Sequence, residues 1–210
     1  MNNSTDPETI SFYDVPLVCG AAPSIGCGSR AKPLLIDLER QTSIKETWLN
    51  RTGTIVAVVW RGPVCTEEVG RPLFERHEVQ YDERRNDRET AQFSRTNGNW
   101  LHGPEVDRLS LEEARQIAEA SVASAMRDGL VSVEEATQIT CDTEAYFRNE
   151  LVKFRTRQAL LLDARGKFPQ AILNVYEKHV GNERTAAVRA RGIQNPFDHA
   201  AREEISSCCP

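Results

Sequence analysis

Apolar positions recur with two different spacings along this chain, and the change between them divides it into two parts. Val15-Pro16-Leu17-Val18 is a short extended run, and Thr54 to Trp60 is β-branched and apolar on both faces, the pattern of a buried strand, with Ile55 to Trp60 at its centre. Between them lies a loop with Cys19-Gly20, Pro23 and Gly26-Cys27-Gly28-Ser29. A helix follows, with Pro33 in its first turn and Leu34, Leu35 and Leu38 on one face, ending near Arg40. Ile44 to Leu49 then leads into a turn at Asn50-Arg51-Thr52-Gly53. Beyond the central strand, Thr66 to His77 reads as a short helix interrupted by Gly70 and Pro72, and Glu78 to Tyr81 alternates like an edge strand. The order β, α, β, α, β therefore spans residues 15–82, preceded by a loosely attached polar stretch at 1–14.

Residues 83–107 carry charge, then Asn and Gly, without an apolar period, and read as a linker in which Trp100 and Leu101 are the candidates for docking. From 108 to 181 the period is helical. Ser110-Leu111-Glu112-Glu113 and Ser132-Val133-Glu134-Glu135 each fit a capping box, and each precedes an apolar stripe: Leu111, Ala114, Ile117, Ala118, Val122 and Ala125, then Ala136, Ile139, Phe147, Leu151 and Phe154. Leu160 to Ala164, stopped by Gly166, and Pro169 to Val180, stopped by Gly181, add two further helices. Residues 182–210 form a polar tail ending in Ser206-Ser207-Cys208-Cys209-Pro210. The fold class is α+β at the N-terminal side with an all-helical C-terminal part. Asp128-Gly129 followed by Glu134-Glu135 faintly echoes a calcium loop, but Ser124 and Met126 fall where carboxylates would be needed, so this is an ordinary helix corner.

Charge narrows the partners. A net charge of −5 and a pI near 5.5 argue against nucleic acid, which needs a basic surface; Arg184, Arg189 and Arg191 are the one local exception. The longest apolar run is Ile55 to Trp60, far short of the roughly 20 residues that cross a bilayer, so no membrane partner is expected. Residues 1–8 are polar and acidic and lack the basic-then-apolar order of an export signal, which points to a soluble, cytoplasmic protein.

The concentrated chemical signal is thiol. Six cysteines, Cys19, Cys27, Cys65, Cys141, Cys208 and Cys209, are too sparse for a disulfide scaffold, and in a reducing compartment they are metal ligands, reactive groups or core residues. Cys27 stands in a glycine-flanked loop before a helix, where backbone N–H groups and the helix dipole stabilise a thiolate, and Arg30 adds a cation. Cys19, eight positions earlier, could join it if the loop folds back; the alternative is that both are small buried residues of a tight turn. The adjacent Cys208 and Cys209 could capture a soft ion and pass it on by ligand exchange, or act as a redox pair. Prenylation is not expected, because Ser207 holds the fourth position from the end where the cysteine would need to stand. Cys65, just past the central strand, could approach the loop, and Cys141 lies in a helix as a packing residue; the four histidines His77, His102, His179 and His199 show no paired ligand spacing, and His179 falls on the apolar face of its helix.

The run from Cys27 through Leu34-Leu35-Ile36-Asp37-Leu38-Glu39, Ser43 to Asn50 and Thr54 to Val59 resembles the first half of a heavy-metal-associated domain over residues 17–60, or 17–82 with the next helix and strand. That resemblance implies a ferredoxin-like fold and a cysteine loop for copper, mercury or a related soft ion. The family's second cysteine is missing, and Arg30 stands where it would fall. The expectations are therefore a soft metal or metalloid ion (copper, mercury or zinc) held by Cys19, Cys27, Cys208 and Cys209 with Arg30 beside the thiolate; or a thiol-disulfide or peroxide enzyme with Cys27 as nucleophile; or an adaptor that docks a protein partner on its helices.

Overall fold

The computed structural model describes residues 9–62, 66–85, 90–154 and 157–191. They form two compact units, divided as residues 9–18 with 24–109 and residues 19–23 with 110–191.

The first unit is a five-stranded antiparallel sheet with two helices. Its elements are β1 Ile10–Asp14, α1 Gly28–Glu39, β2 Ile44–Asn50, β3 Ile55–Trp60, α2 Thr66–Arg76, β4 Asp82–Arg84 and β5 Trp100–His102, in the strand order β4-β1-β3-β2-β5. The first four strands have the split βαβ order of a ferredoxin-like sheet, and β5 extends it beyond β2. β3 is the middle strand and buried throughout, which is why its sequence is apolar at every position. The pleat sends Tyr13, Thr47 and Leu49 toward the helices, where Tyr13 packs on Phe74 of α2 at 5.4 Å and the Thr47 hydroxyl lies 3.2 Å from the Leu35 carbonyl of α1. Phe12, Trp48, Ile55, Ala57, Val59 and Trp100 cluster on the opposite face. Opposite partners align them, with Phe12 and Trp48 both facing Ala57 across β3.

Several boundaries differ from the sequence expectation. Residues 10–14, expected to be loose, form β1, paired with β3 on one side and β4 on the other. Val15–Val18, expected to be the first strand, instead continue from it along the β2–β3 turn: the amides of Val15 and Leu17 donate to the carbonyls of Thr54 and Gly53. α1 starts five residues before Pro33, so the proline sits in its second turn. The edge strand begins at Asp82, since Glu78 and Val79 terminate α2: Glu78 takes φ +52° and the Val79 amide reaches the Phe74 carbonyl. The expected linker 83–107 holds the end of β4, two 3-10 turns at Thr90–Gln92 and Gly103–Val106, and β5, so most of it belongs to the sheet unit.

The second unit is helical: α3 Asp107–Arg127, whose body lies in it, α4 Val133–Leu151, α5 Arg157–Arg165 and α6 Lys167–Arg191. Ser132 caps α4 as expected, its hydroxyl accepting from the Glu135 amide while Glu135 accepts from the Ser132 amide. Ser110 is not at a helix start: it is fully buried inside α3, which begins at Asp107. Gly181, at φ +78°, breaks the last helix where expected, but a second helical segment follows it and buries Thr185 and Val188, so residues 182–191 are not a polar tail. Phe147, Phe154 and Phe168 pack edge to face, and the Tyr176 hydroxyl donates to the Ser121 carbonyl at 2.9 Å, tying α6 to α3. Burial pushes the Tyr176 phenol up to about 12. No helix among the described residues is long and apolar enough to cross a membrane.

Candidate functional site

The β1–α1 loop is held against the β2–β3 turn by backbone hydrogen bonds. Leu17 N donates to Gly53 O at 3.0 Å, Gly26 N to Arg51 O at 2.8 Å and Cys27 N to Leu17 O at 2.7 Å, while Val18 bridges Gly26. Two glycines permit this approach. A Cβ on Gly53, which sits at φ +76°, would stand 2.4 Å from the Leu17 carbonyl oxygen, and one on Gly26 would stand 2.8 Å from Gly53 Cα.

The result sets Cys27 at the N-cap of α1, in extended conformation (φ −84°, ψ 101°), with its carbonyl accepting from the Ala31 amide at 3.0 Å and its side chain making no cap hydrogen bond. This is the position the sequence indicated, where the dipole favours a thiolate. Burial acts the other way, because the residue is only 3 % exposed. Arg30 is in the first turn of α1, and its guanidinium donates to the Pro16 carbonyl at 3.1 Å. Cys19 is buried and belongs to the short segment grouped with the helical unit. Cys141 lies on α4, but it is exposed and does not pack in the core as expected. Cys65, Cys208 and Cys209 lie outside the described residues. Among the described residues no three or more His, Cys, Asp or Glu side chains gather in a group able to hold a metal ion.

The structure also pairs groups that sequence spacing did not connect. Glu39, in the last turn of α1, accepts through one oxygen from the Thr47 amide (3.0 Å) and the Thr47 hydroxyl (2.9 Å), and His102 Nε2 lies 2.9 Å from the same oxygen. His102 is also tilted against Trp48 at 4.9 Å. Two residues back on α1, Asp37 meets His77 Nε2 at 2.9 Å and Arg40 at 2.8 Å. In the helical unit His179 and Lys178 both meet Asp142, at 2.8 and 2.6 Å, and hydrogen bonds from Lys178 and His179 hold the Asp142 carboxyl below the usual range. Each described histidine therefore pairs with a carboxylate from a distant part of the chain, which explains why local spacing was silent. Two of the three arginines of the basic exception are paired with carboxylates: Arg184 is bidentate on Glu135 and Arg191 meets Asp128.

No known family model, curated protein or solved structure matches the chain.

Proposed function

We propose that this chain binds or transfers a soft metal or metalloid ion through thiols, with Cys27 as its fixed ligand. The observation that supports this most is the N-cap position of Cys27, at the end of the β1–α1 loop of a split βαβ sheet, where the backbone and the glycine pair set a sulfur at a helix start. Cys27 alone is an incomplete site. Hg(II) and Cu(I) bind linearly between two sulfurs, so a second thiolate must be supplied, and the adjacent Cys208 and Cys209 are the candidates. The burial of Cys27 favours a bare ion over the rival substrates, since a disulfide or peroxide must align on the sulfur along a defined line of attack.

The test is a titration of the reduced full chain with Hg(II) against a dithiol competitor, with circular dichroism as the control for fold. Cys27→Ser and the double change Cys208→Ser/Cys209→Ser should each weaken binding by about tenfold or more. Unchanged affinity in Cys27→Ser removes the fixed ligand. A chain that ignores Hg(II) but forms a mixed disulfide at Cys27 with a peroxide-oxidised partner favours the redox reading. If neither Hg(II) binding nor the mixed disulfide is found, the remaining reading is an adaptor that docks a partner on its helices.

A further inference from the structure

The outer face of the sheet carries a second arrangement, independent of the thiols. Phe93 sits among three aromatic rings, each met edge to face: Trp100 at 5.1 Å, Phe12 at 5.9 Å and Trp48 at 6.1 Å. Two residues on, Arg95 Nε donates to Glu46 Oε2 at 2.6 Å, and the Trp48 indole donates to the same oxygen at 3.1 Å. The Arg95 guanidinium also stands 5.7 Å from the Phe93 ring centre.

The backbone of this segment is turned on itself. Phe93 N donates to Thr90 O, Thr96 N to the Ser94 hydroxyl and Asn99 N to the Asn97 side chain, until Asn99 O receives the Arg51 amide beside β5. Phe93 and Arg95 therefore hold the strap to the sheet by side chains, as an anchored peptide is held, while β1, β3, β2 and β5 are joined by their ladders.

We propose that this face is a docking site for a peptide with an aromatic side chain two residues before an arginine, and that Phe93-Ser94-Arg95 occupies it within the free chain. The recognition chemistry is on the face itself. Three rings accept an aromatic edge, and a carboxylate anchored by an indole N–H accepts a guanidinium two residues away. Burial works against the Glu46 charge, but with the strap seated, hydrogen bonds from Arg95 and Trp48 and the Arg95 charge hold its carboxyl below the usual range. The strap is tethered, so it competes at an effective concentration on the order of millimolar, and a free peptide gains the face only when the strap is weakened.

The experiment uses the full chain and an acetylated, amidated peptide spanning Thr90 to Asn97, followed by tryptophan fluorescence and calorimetry. The double variant Phe93→Ala/Arg95→Ala, folded by circular dichroism, should bind the peptide at least about tenfold more tightly than the parent chain does. It should lose that binding when the peptide's phenylalanine is replaced by alanine or its arginine by glutamate. If the double variant unfolds, Arg95→Ala alone decides, because it removes one half-exposed ion pair and leaves Phe93 in place; the peptide should then bind severalfold better than to the parent. Equal affinities for parent and variant, or indifference to the peptide's aromatic and arginine, overturn the proposal. So does preferential binding of a single-stranded oligonucleotide, which would make the aromatic face a base-stacking platform instead.

Discussion

Replacing Gly53 by alanine should dislodge the loop that carries Cys27, and the cost can be worked from the contacts. A side chain at φ +76° costs about 1 kcal/mol in the left-handed region. The larger part is steric. The new Cβ would sit 2.4 Å from Leu17 O and 2.5 Å from Gly26 Cα, backbone atoms that cannot swing aside as a side chain can. Moving the loop loosens the hydrogen bonds from Leu17 N to Gly53 O and from Gly26 N to Arg51 O, each with a net contribution of about 1 kcal/mol. The sum is about 3 kcal/mol. Gly98→Ala is the internal control, since Gly98 has φ +71° but nothing within 4 Å of an added Cβ, so it should lose only the conformational part, about 1 kcal/mol. Urea denaturation of the two variants, with equal m values as the test that the same transition is measured, gives the difference directly. Equal destabilisation would refute the reasoning, for it would mean that the loop does not rest on the turn. A second reading comes from alkylation: Cys27 should react faster in Gly53→Ala than in Gly98→Ala, because only the former disturbs the loop.

Two further outcomes follow from access and charge. In the native fold an alkylating reagent should label exposed Cys141 before Cys27, which reverses the order expected from the helix-start environment alone; mass spectrometry at short times reads it, and Cys27 labelled first would show that the loop opens readily. The Glu135 carboxyl is lowered to about 2 from an ordinary 4.5, chiefly by Arg184 and then by the Ser132 amide; its stabilising contribution is fully present above pH 4.5 and fades as pH falls from there toward 2, so Glu135→Gln should flatten that part of the acid-unfolding curve, and an unchanged curve would sink the assignment.

The sheet was legible where burial is two-sided and obscure where it is mixed. Ile55 to Trp60 lies between two paired strands with both faces covered, so its apolar run reads directly as a central strand. β2 hides because it buries Thr47 and Asn50 among its apolar residues: Thr47 is held by Glu39 and Leu35, and Asn50 turns inward to bind the amides of Thr54 and Ile55. β5 is three residues long and has no period to detect, and its place is set by pairing with β2 and by the Trp100 ring. The two capping-box patterns show the same limit in the helices. Gly129 at φ +68° ends α3 just before Ser132, which frees that serine to begin a helix, whereas the 3-10 turn at Gly103–Val106 runs straight into α3 and leaves Ser110 in its interior.

The candidate site divides along the same physical line. The position of Cys27 at a helix start follows from glycine placement and the apolar stripe after it, both local properties, and it was readable. Its burial was not, because that depends on Gly26 and Gly53, 27 positions apart, closing to backbone contact. Phe93 and Arg95 lie deeper in the same blind spot. They stand in a stretch with no period, and their partners Phe12, Glu46, Trp48 and Trp100 are scattered over three strands. An aromatic residue and an arginine in a polar stretch look like solvent-facing residues until a sheet face assembles opposite them. That is also why this face bears on function: a protein that needed merely to cover the sheet could do so with aliphatic residues, and an arginine paired to a carboxylate at the rim adds direction and sequence selectivity more than it adds stability.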